Sequence, residues 1–214
     1  MTTRRISEST VRRLSRYLRL LRDLTAQQEE VVSSQELAER SGTTAAQVRK
    51  DLSVFGSFGQ RGRGYSVRQL ERTLEQILGL EKRWRVALVG AGKIGTALLG
   101  YGDLAERGFD VVAAFDTDAS KIGSDLSGVR VFSMADLNEV VSDRGVEVAI
   151  IATPPEAAQN TVRLLEQAGV RGILNFAPVG LTVNEDVSVR TMDVALELEA
   201  LSFALSSRTN GGRS

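Results

Sequence analysis

The sequence predicts an α/β protein made of two modules that differ in pattern and in charge. Helical patterns fill most of residues 1–82, whereas apolar, strand-like runs alternate with helical patterns from about 83 to 192, as is typical of a parallel sheet. Residues 1–85 contain 17 Lys and Arg against 10 Asp and Glu, a net charge of +7, and the remaining residues contain 10 against 17, a net charge of −7. A basic front module of this kind indicates a polyanionic partner such as nucleic acid.

The residue types that are missing exclude several kinds of site. The chain has no Cys and no His, which excludes disulfides and thiol catalysis and removes the commonest general base and the commonest metal ligand. We therefore expect no metal and no catalytic residue. The sequence has no apolar run of about 18 residues and no apolar signal core after Arg5, so we expect a cytoplasmic protein without a membrane partner.

Apolar residues at helical spacing predict a first helix from Ser9 to about Thr25. Three arginines fall together on its opposite side, namely Arg12, Arg16 and Arg19. A charge stripe of this kind is by itself best explained as a solvated surface. It gains a functional meaning only from the segments that follow it.

Two short helices joined by a tight turn come next. They are predicted over 34–40 and 44–52, with the turn at 41–43 and Thr43 or Thr44 as the cap of the second helix. This order predicts a helix-turn-helix, whose second helix enters the major groove of DNA. A small helical hairpin with exposed charges would show the same pattern. The side chains expected to face the DNA are Gln47, Arg49, Lys50 and Ser53.

Residues 55–67 alternate aromatic or apolar side chains with Gly and Arg, which predicts a β-hairpin, or wing, with a flexible arginine tip. A hairpin that only covers the small core would explain the aromatic residues, but it gives Arg61 and Arg63 at the tip no role. Arginines on a glycine-rich loop suit a narrow, electronegative minor groove. With a last helix over 67–80, residues 1–82 are predicted to form a winged helix-turn-helix DNA-binding domain.

Strand-like runs and helical patterns alternate in the second module. The predicted strands are 85–90, 110–116, 129–132, 147–152, 171–176 and 187–192, and the predicted helices are 93–106, 134–143 and 154–168. The last of these helices has a clear start signal, since Thr153 and Glu156 fit a capping box around a proline at the first helical position, Pro154. It begins beyond the carboxyl end of a strand, where open α/β sheets bind ligands. Residues 83–192 are therefore predicted to be a Rossmann-like parallel-sheet domain.

A glycine motif, Gly90-Ala91-Gly92-Lys93-Ile94-Gly95, lies between the first predicted strand and the first predicted helix of this module. Such a loop lets the backbone approach a pyrophosphate at the helix N-terminus. Asp116 ends the next strand, 21 positions after Gly95, where an acidic residue binds the ribose 2′-hydroxyl and repels a 2′-phosphate. The sequence thus predicts NAD(H); CoA is the competing ligand, and the glycines could instead serve only close packing. The predicted cofactor-binding residues of the module are Gly90, Ala91, Gly92, Lys93, Ile94, Gly95, Asp116, Thr153 and Pro154.

A binding role fits this module better than catalysis. Hydride-transfer enzymes on this fold usually add a substrate domain and a proton donor such as His, Lys or a Tyr–Lys pair. In this chain the residues outside the Rossmann-like module form the basic module rather than a substrate domain. We therefore expect no enzyme activity. The alternative is a small NAD-dependent dehydrogenase, or a CoA-binding protein, with an accessory basic domain.

The last helix is predicted over 193–207 and is apolar on two nearly opposite faces. A helix of this kind is buried on two sides. We therefore predict a dimerisation helix that packs against a second subunit, exchanged between the subunits, with an ordinary helix that covers the sheet as the alternative. Residues 208–214 are predicted to be a disordered tail.

Several segments together resemble the Rex family of redox-sensing transcriptional repressors, over nearly the whole chain. The segments that carry the resemblance are Tyr17-Leu18-Arg19-Leu20-Leu21, Gln47-Val48-Arg49-Lys50-Asp51-Leu52-Ser53, Phe55-Gly56, Gly62-Arg63-Gly64-Tyr65, the glycine motif and Ile173-Leu174-Asn175-Phe176-Ala177-Pro178-Val179. The first two are far more distinctive than the glycine motif.

The resemblance implies a homodimer with two winged-helix heads, Rossmann-type domains and exchanged C-terminal helices. Such a dimer binds a pseudo-palindromic operator when NAD⁺ dominates and releases it when NADH binds. By position, the resemblance also implies that Arg19, Tyr101 and Asp193 couple the state of the nicotinamide to the orientation of the heads, which adds Tyr101 to the cofactor site. Val194 departs from the family pattern, because some members carry there an aromatic residue that reaches the partner's nicotinamide pocket.

Overall fold

A computed structural model describes residues 6–56, 59–60, 64–100 and 102–210 of the 214-residue chain. The chain divides into two compact units, one up to Lys82 and the other from Arg83 onward. Each unit has its own hydrophobic core, as is typical of a separate domain.

In the described part of the first unit there are four helices and three short strands. The helices are α1 (Glu8–Ala26), α2 (Ser34–Ser41), α3 (Ala45–Ser53) and α4 (Val67–Leu78), and the strands are β1 (Val31–Val32), β2 (Gly59–Gln60) and β3 (Gly64–Ser66). The apolar face of α1 packs against α4 and α2 around Leu14, Leu21 and Leu37, which are completely buried. These helices form where the apolar spacing predicted them.

The turn between α2 and α3 is fixed by local chemistry. Gly42 adopts a φ of +69°, a left-handed conformation that ends α2 and that other residues rarely adopt. Two residues later the Thr44 hydroxyl accepts a hydrogen bond from the backbone N–H of Gln47 and so caps α3. The predicted helix-turn-helix is therefore present, with Thr44 rather than Thr43 as the cap.

The predicted hairpin forms one edge of a small sheet. β2 and β3 pair antiparallel, and β3 also pairs with β1 in the order β1-β3-β2. β1 was not predicted from the sequence, because its two residues are too few to show a strand pattern. Arg61 and Arg63, the expected tip of the wing, lie outside the described residues.

The second unit is built on a seven-stranded sheet. Its strands are β4 (Trp84–Val89), β5 (Phe109–Asp116), β6 (Asp125–Leu126), β7 (Val129–Ser133), β8 (Val148–Ile151), β9 (Gly172–Asn175) and β10 (Ser188–Thr191). They lie in the order β10-β9-β8-β4-β5-β7-β6, and all neighbours are parallel except β6, which pairs antiparallel with β7 at the edge. Without β6, which was not predicted, this is the strand order of dinucleotide-binding Rossmann sheets.

Helices link β4 to β5, β7 to β8 and β8 to β9, and a last helix follows β10. They are α5 (Lys93–Leu99), α6 (Asp103–Glu106), α7 (Leu137–Arg144), α8 (Pro155–Gln167) and α9 (Val194–Asn210), with a 3₁₀ turn at Met134–Asp136 before α7. The single helix predicted over 93–106 is thus wrong, because α5 ends at Leu99 and α6 begins at Asp103. The break contains Gly100 and Gly102, and a glycine in a helix interior is about 1 kcal/mol less stable than an alanine. Tyr101, which lies between them, is outside the described residues.

The last helix differs from the others in its exposure. Six of its apolar side chains are each more than half exposed, namely Val194, Leu196, Leu198, Leu201, Phe203 and Leu205. The alternative of a helix that covers the sheet is therefore wrong for this unit. α9 also continues to Asn210, three residues beyond its predicted end, while residues 211–214 lie outside the described part. Across the described residues, no helix has the length and apolar character needed to cross a membrane.

Candidate functional site

A cleft opens at the carboxyl ends of the central strands of the second unit. β4 and β8 are neighbours there, and the chain leaves them toward opposite halves of the sheet, which makes this edge the switch point where such sheets bind ligands. The cleft has a volume of about 380 Å³. It is lined by Val89, Gly90, Gly92, Phe115, Asp116, Thr117, Lys121, Met134, Ala152, Thr153, Pro154, Ala157, Asn160, Thr161 and Leu164.

The three glycines of the motif have three different surroundings. Gly90 adopts a φ of +99°, and a Cβ placed on it would lie 2.5 Å from the carbonyl oxygen of Ala152. A Cβ on Gly95 would lie 2.0 Å from the carbonyl oxygen of Gly90, so the helix packs directly on the loop. A Cβ on Gly92 would meet no atom of the described residues within 4 Å. Two glycines are therefore required by the fold, whereas the third keeps space open where the loop enters α5.

Asp116 lies at the end of β5, on the side of the cleft formed by the glycine loop. Its Oδ2 accepts a hydrogen bond of 2.9 Å from the Ala91 N–H, and its Oδ1 accepts one of 2.9 Å from the N–H of Asp118. Burial alone would raise the pKa of Asp116, but these donors and the nearby ammonium of Lys121 lower it below the ordinary value. The group is thus an anion at neutral pH, with its position fixed by backbone.

Lys121 belongs to the site although the sequence analysis assigned it no role there. Its ammonium lies 3.0 Å from Oδ2 of Asp116 and 3.7 Å from Oδ2 of Asp118. Its pKa is raised, chiefly by the hydrogen bond to Asp116. Because the five-residue separation falls in a turn, no periodic pattern in the sequence points to this pair.

Thr153 and Pro154 line the opposite side of the cleft, but the predicted capping box is wrong. Pro154 has extended backbone (φ −56°, ψ 152°), since a residue before a proline avoids helical angles, and α8 therefore begins one residue later, at Pro155. Within the described part of the chain, no side chain caps this helix. The Thr153 hydroxyl oxygen is instead buried without a hydrogen-bond partner among the described residues. A buried hydroxyl of this kind is suited to a polar ligand group.

The other predicted residues of this unit that the structure describes are not among those lining the cleft. Lys93 and Ile94, at the start of α5, are exposed. Asp193 caps α9, because its Oδ1 accepts hydrogen bonds from the backbone N–H groups of Ala195 at 2.9 Å and Leu196 at 3.3 Å. In the first unit, Arg19 is exposed on α1.

Three of the four side chains predicted to face DNA on α3 are exposed. Arg49 donates a 2.9 Å hydrogen bond to the hydroxyl of Ser34 at the start of α2, and Lys50 is exposed beside it. Ser53 is exposed as well, and its hydroxyl donates to the carbonyl oxygen of Lys50 in its own helix at 2.9 Å. Gln47 is half-buried, and its side-chain amide donates a hydrogen bond to the carboxylate of Asp51.

Asp51 is the feature of α3 that the sequence analysis missed. It faces the core with Val48 and Leu52, and only 3% of it is exposed. Arg13 of α1 donates to it through two guanidinium nitrogens, at 2.7 and 2.8 Å, and the Tyr17 hydroxyl donates at 3.1 Å. Burial opposes its charge, but the hydrogen bonds from Arg13, Gln47 and Tyr17 lower the pKa of Asp51 on balance.

Comparisons with known proteins agree with both units. Residues 5–53 match the family model described as "Putative DNA-binding protein N-terminus", and residues 81–179 match the model described as "CoA binding domain". The "Redox-sensing transcriptional repressor Rex" of Desulforamulus reducens is 43% identical over 205 residues, which cover 96% of this chain and 98% of that protein. The chain belongs to the Rex family.

Other Rex proteins are similar over the same length. Those of Carboxydothermus hydrogenoformans and Streptomyces griseus are each 46% identical, over 93% and 94% of this chain and over 96% and 79% of their own length. Solved structures of the Rex-family repressor RSP match as well. The complex with β-NAD⁺ and operator DNA has a TM-score of 0.90 at 33% identity, covering 99% of this chain and 97% of that one. The complex with β-NADH has a TM-score of 0.86 at 31% identity and covers 99% of both chains. The family resemblance and the predicted fold class are thus confirmed.

Proposed function

We propose that this Rex-family chain is a transcriptional repressor that senses the NADH/NAD⁺ ratio. As a homodimer it binds a pseudo-palindromic operator when NAD⁺ dominates, and NADH binding releases it. The observation that carries this proposal is the combination, in one chain, of the dinucleotide cleft and the exposed helix-turn-helix. Relatives that match over nearly the full length are named as redox-sensing repressors, and RSP has been crystallised with both nucleotides.

The cleft residues fit a dinucleotide. The open space in front of Gly92 admits a pyrophosphate to the backbone of the loop, and the Asp116 carboxylate suits a ribose hydroxyl. The Thr153 hydroxyl, which has no hydrogen-bond partner in the part of the chain that the structure describes, offers a further polar contact. When bound, the nicotinamide supplies a ring that differs between its two redox states by one positive charge and in planarity. The protein supplies the pocket that discriminates between them, since an apolar pocket favours the uncharged ring.

NAD(H) fits this cleft better than CoA, although the matching family model is described as a CoA-binding domain. The ribose of CoA carries a 3′-phosphate, and Asp116 would place a negative charge beside it. The ribose of NAD(H) offers two hydroxyls to the same carboxylate. The proposed cofactor is therefore NAD(H), and CoA becomes a competing arm of the experiment.

The DNA contacts are proposed for α3 and the wing. Arg49 and Lys50 are exposed on the second helix of the helix-turn-helix, which is the helix that enters the major groove in such motifs. Gln47, Ser53, Arg61 and Arg63 complete the proposed contact set. A repressor acts where the DNA is, so we place the protein in the cytoplasm. We also propose that it has no enzymatic activity.

The proposed homodimer rests on α9, whose apolar side chains are exposed in the single chain. A dimer places two heads at the spacing of about one helical turn that dimeric readers of DNA require. The ligand can act only through different affinities for two arrangements of the dimer. We propose that Arg19, Tyr101 and Asp193 couple the nicotinamide state to the heads, as the family resemblance implies.

A gel-shift titration tests the proposal. A duplex is first selected by the protein from a pool with a randomised centre, and its complex is then titrated at fixed salt with NADH, NAD⁺, NADPH and CoA. We expect NADH alone to release the duplex at the lowest concentration. Release by CoA instead of NADH, or equal release by NAD⁺ and NADH, would contradict the sensing role. Oxidation of NADH on incubation with carbonyl substrates, followed by nicotinamide absorbance, would favour the dehydrogenase alternative.

Single substitutions locate the DNA-binding face. Arg49→Ala and Lys50→Ala are each expected to weaken binding to the selected duplex. Each should also reduce the slope of log affinity against log salt concentration by about one for each phosphate contact that is lost. Arg72→Ala, which removes the same charge from an exposed position on α4, is the matched control. Equal weakening by all three variants would indicate a nonspecific charge effect.

A further inference from the structure

The buried carboxylate of Asp51 is an unusual choice for the face of α3 that packs into the core. Its neighbours on that face, Val48 and Leu52, are apolar, and a buried charge is stable only when it is paired and hydrogen-bonded. An apolar residue would close the core as well. The position therefore calls for an explanation beyond packing.

Arg13 fixes the plane of this carboxylate. Its Nε donates to Oδ2 at 2.7 Å and its Nη2 donates to Oδ1 at 2.8 Å, a two-point contact between α1 and α3. The Tyr17 hydroxyl, also on α1, donates to Oδ2 at 3.1 Å. A planar fork of this kind determines orientation as well as distance. Both oxygens of Asp51 are thus held in defined positions.

Gln47 is oriented by the oxygen that it contacts. Its Nε2 donates to Oδ1 of Asp51 at 2.8 Å, one turn along the same helix. An ionised carboxylate only accepts hydrogen bonds, so the reversed amide would place two acceptors against each other. One N–H of the amide is therefore bound to Asp51, while Oε1 and the second N–H are left. These are the two groups with which glutamine recognises the N6 amino group and N7 of adenine in the major groove.

We propose that Asp51 is a positioning residue for DNA sequence recognition, which holds the Gln47 amide in the orientation that selects adenine. The inference rests on the proposed function, in which α3 enters the major groove. It adds a chain of contacts from Arg13 through Asp51 to Gln47, so that a residue of α1 controls the base preference of α3.

A purely structural role for Asp51 makes a different prediction. If the carboxylate only joined α1 to α3, its loss would weaken binding to every duplex by the same factor. If it orients Gln47, its loss removes the preference at one base pair of each half-site and leaves the other preferences in place. Base preference, rather than affinity, therefore separates the two roles.

The experiment measures that preference with the full-length protein. All single base-pair variants of the duplex selected by the wild type are titrated against the wild type, Gln47→Met, Asp51→Asn and Tyr17→Phe at fixed salt. We expect Gln47→Met and Asp51→Asn to lose the same adenine preference, by a factor of about five or more. Tyr17→Phe removes one donor to Asp51 without touching Gln47, and should keep the preference even if the protein is less stable.

Each outcome decides a different question. If the wild type selects no duplex, the proposed function itself fails. If it selects one and Asp51→Asn weakens all duplexes equally, or Gln47→Met keeps every preference, the positioning role is overturned. Should Asp51→Asn fail to fold in a thermal melt, Arg13→Lys replaces it, because the single ammonium cannot fix the carboxylate plane. An unchanged adenine preference in Arg13→Lys would then overturn the proposal.

Discussion

The Lys121 ammonium lies 3.0 Å from Oδ2 of Asp116, and the same oxygen accepts a hydrogen bond from the backbone N–H of Ala91 at 2.9 Å. One carboxylate thus joins the end of β5, the glycine loop and the turn that follows β5. This end of the cleft consequently holds a fixed anion with a cation beside it. In the proposed dinucleotide complex, the two side chains would have opposite preferences for the group carried by the ribose, a hydroxyl or a phosphate.

Asp116→Ala should weaken NADH binding while leaving operator binding in the absence of nucleotide largely intact. The change removes hydrogen bonds to a charged group, each of which contributes roughly 1.5–3 kcal/mol, so we expect a loss of about tenfold or more in NADH affinity. Calorimetry measures the affinity, and the gel shift measures the operator response. Asp118→Ala removes the same charge from a more exposed neighbour and is the control. Equal release by NADH in Asp116→Ala and wild type would refute the ribose role.

Asp116→Ser should shift the nucleotide preference toward NADPH. The substitution keeps a hydroxyl near the ribose, removes the charge that repels a 2′-phosphate, and leaves the Lys121 ammonium without its nearest anion. We expect the ratio of NADPH to NADH affinity to rise about tenfold or more, since a charge-assisted contact replaces a repulsion. Adding Lys121→Gln should abolish the gain. If the double variant keeps it, Lys121 does not determine the preference.

Gly92→Ala and Gly95→Ala should separate ligand binding from folding. A Cβ on Gly92 meets no atom, so this variant should keep the thermal stability of the wild type yet bind NADH more weakly, because the methyl group occupies space in front of the loop. A Cβ on Gly95 would lie 2.0 Å from a backbone oxygen, so that variant should lose roughly 1–3 kcal/mol of stability. Thermal melts and NADH titrations measure both effects. Normal NADH binding by Gly92→Ala would place the nucleotide elsewhere.

The sequence was sufficient to predict most of the fold because the core of each unit follows a regular period. The strands from β4 to β10 were placed within a few residues, except β6. That strand and β1 have two residues each, which is too short for any periodic signal. The break between α5 and α6 was not predicted because apolar residues continue through it. Gly100 and Gly102 are the only sign of the break in the sequence of this segment.

The glycine motif and Asp116 could be predicted because local backbone geometry determines them. Lys121, Arg13 and Asp51 could not, since their contacts join segments that no sequence period relates. Asp51 lies 38 positions from Arg13 and, as an acidic residue in a short helix, has the pattern of a surface position. Only the tertiary fold of the first unit brings the pair together.

Tyr17 should make the stability of the protein fall between about pH 10 and pH 12. Burial, the negative charge of Asp51 and the hydrogen bond to it raise the pKa of Tyr17 from 10.0 to about 12. Unfolded chains lose this proton near pH 10 while folded chains retain it, so the unfolded state binds fewer protons and stability decreases as pH rises. The loss amounts to about 2–3 kcal/mol for a completely buried side chain. Denaturant unfolding of Tyr17→Phe should decline less over this range; identical slopes would contradict the assignment.

Replacing Leu198 and Leu201 of α9 by Glu should convert the proposed dimer into monomers. Both side chains are more than half exposed in the single chain, and each buried leucine contributes roughly 2 kcal/mol, so two charges per subunit remove most of the driving force for association. Sedimentation measures the mass, and the gel shift should show weaker binding, because a monomer engages one half-site at a time. Gln167→Glu adds one negative charge to an exposed position at the end of α8 and should remain dimeric. A double variant that keeps the dimer mass would show that the subunits associate through another surface, and the exposed face of α9 would then need a different partner.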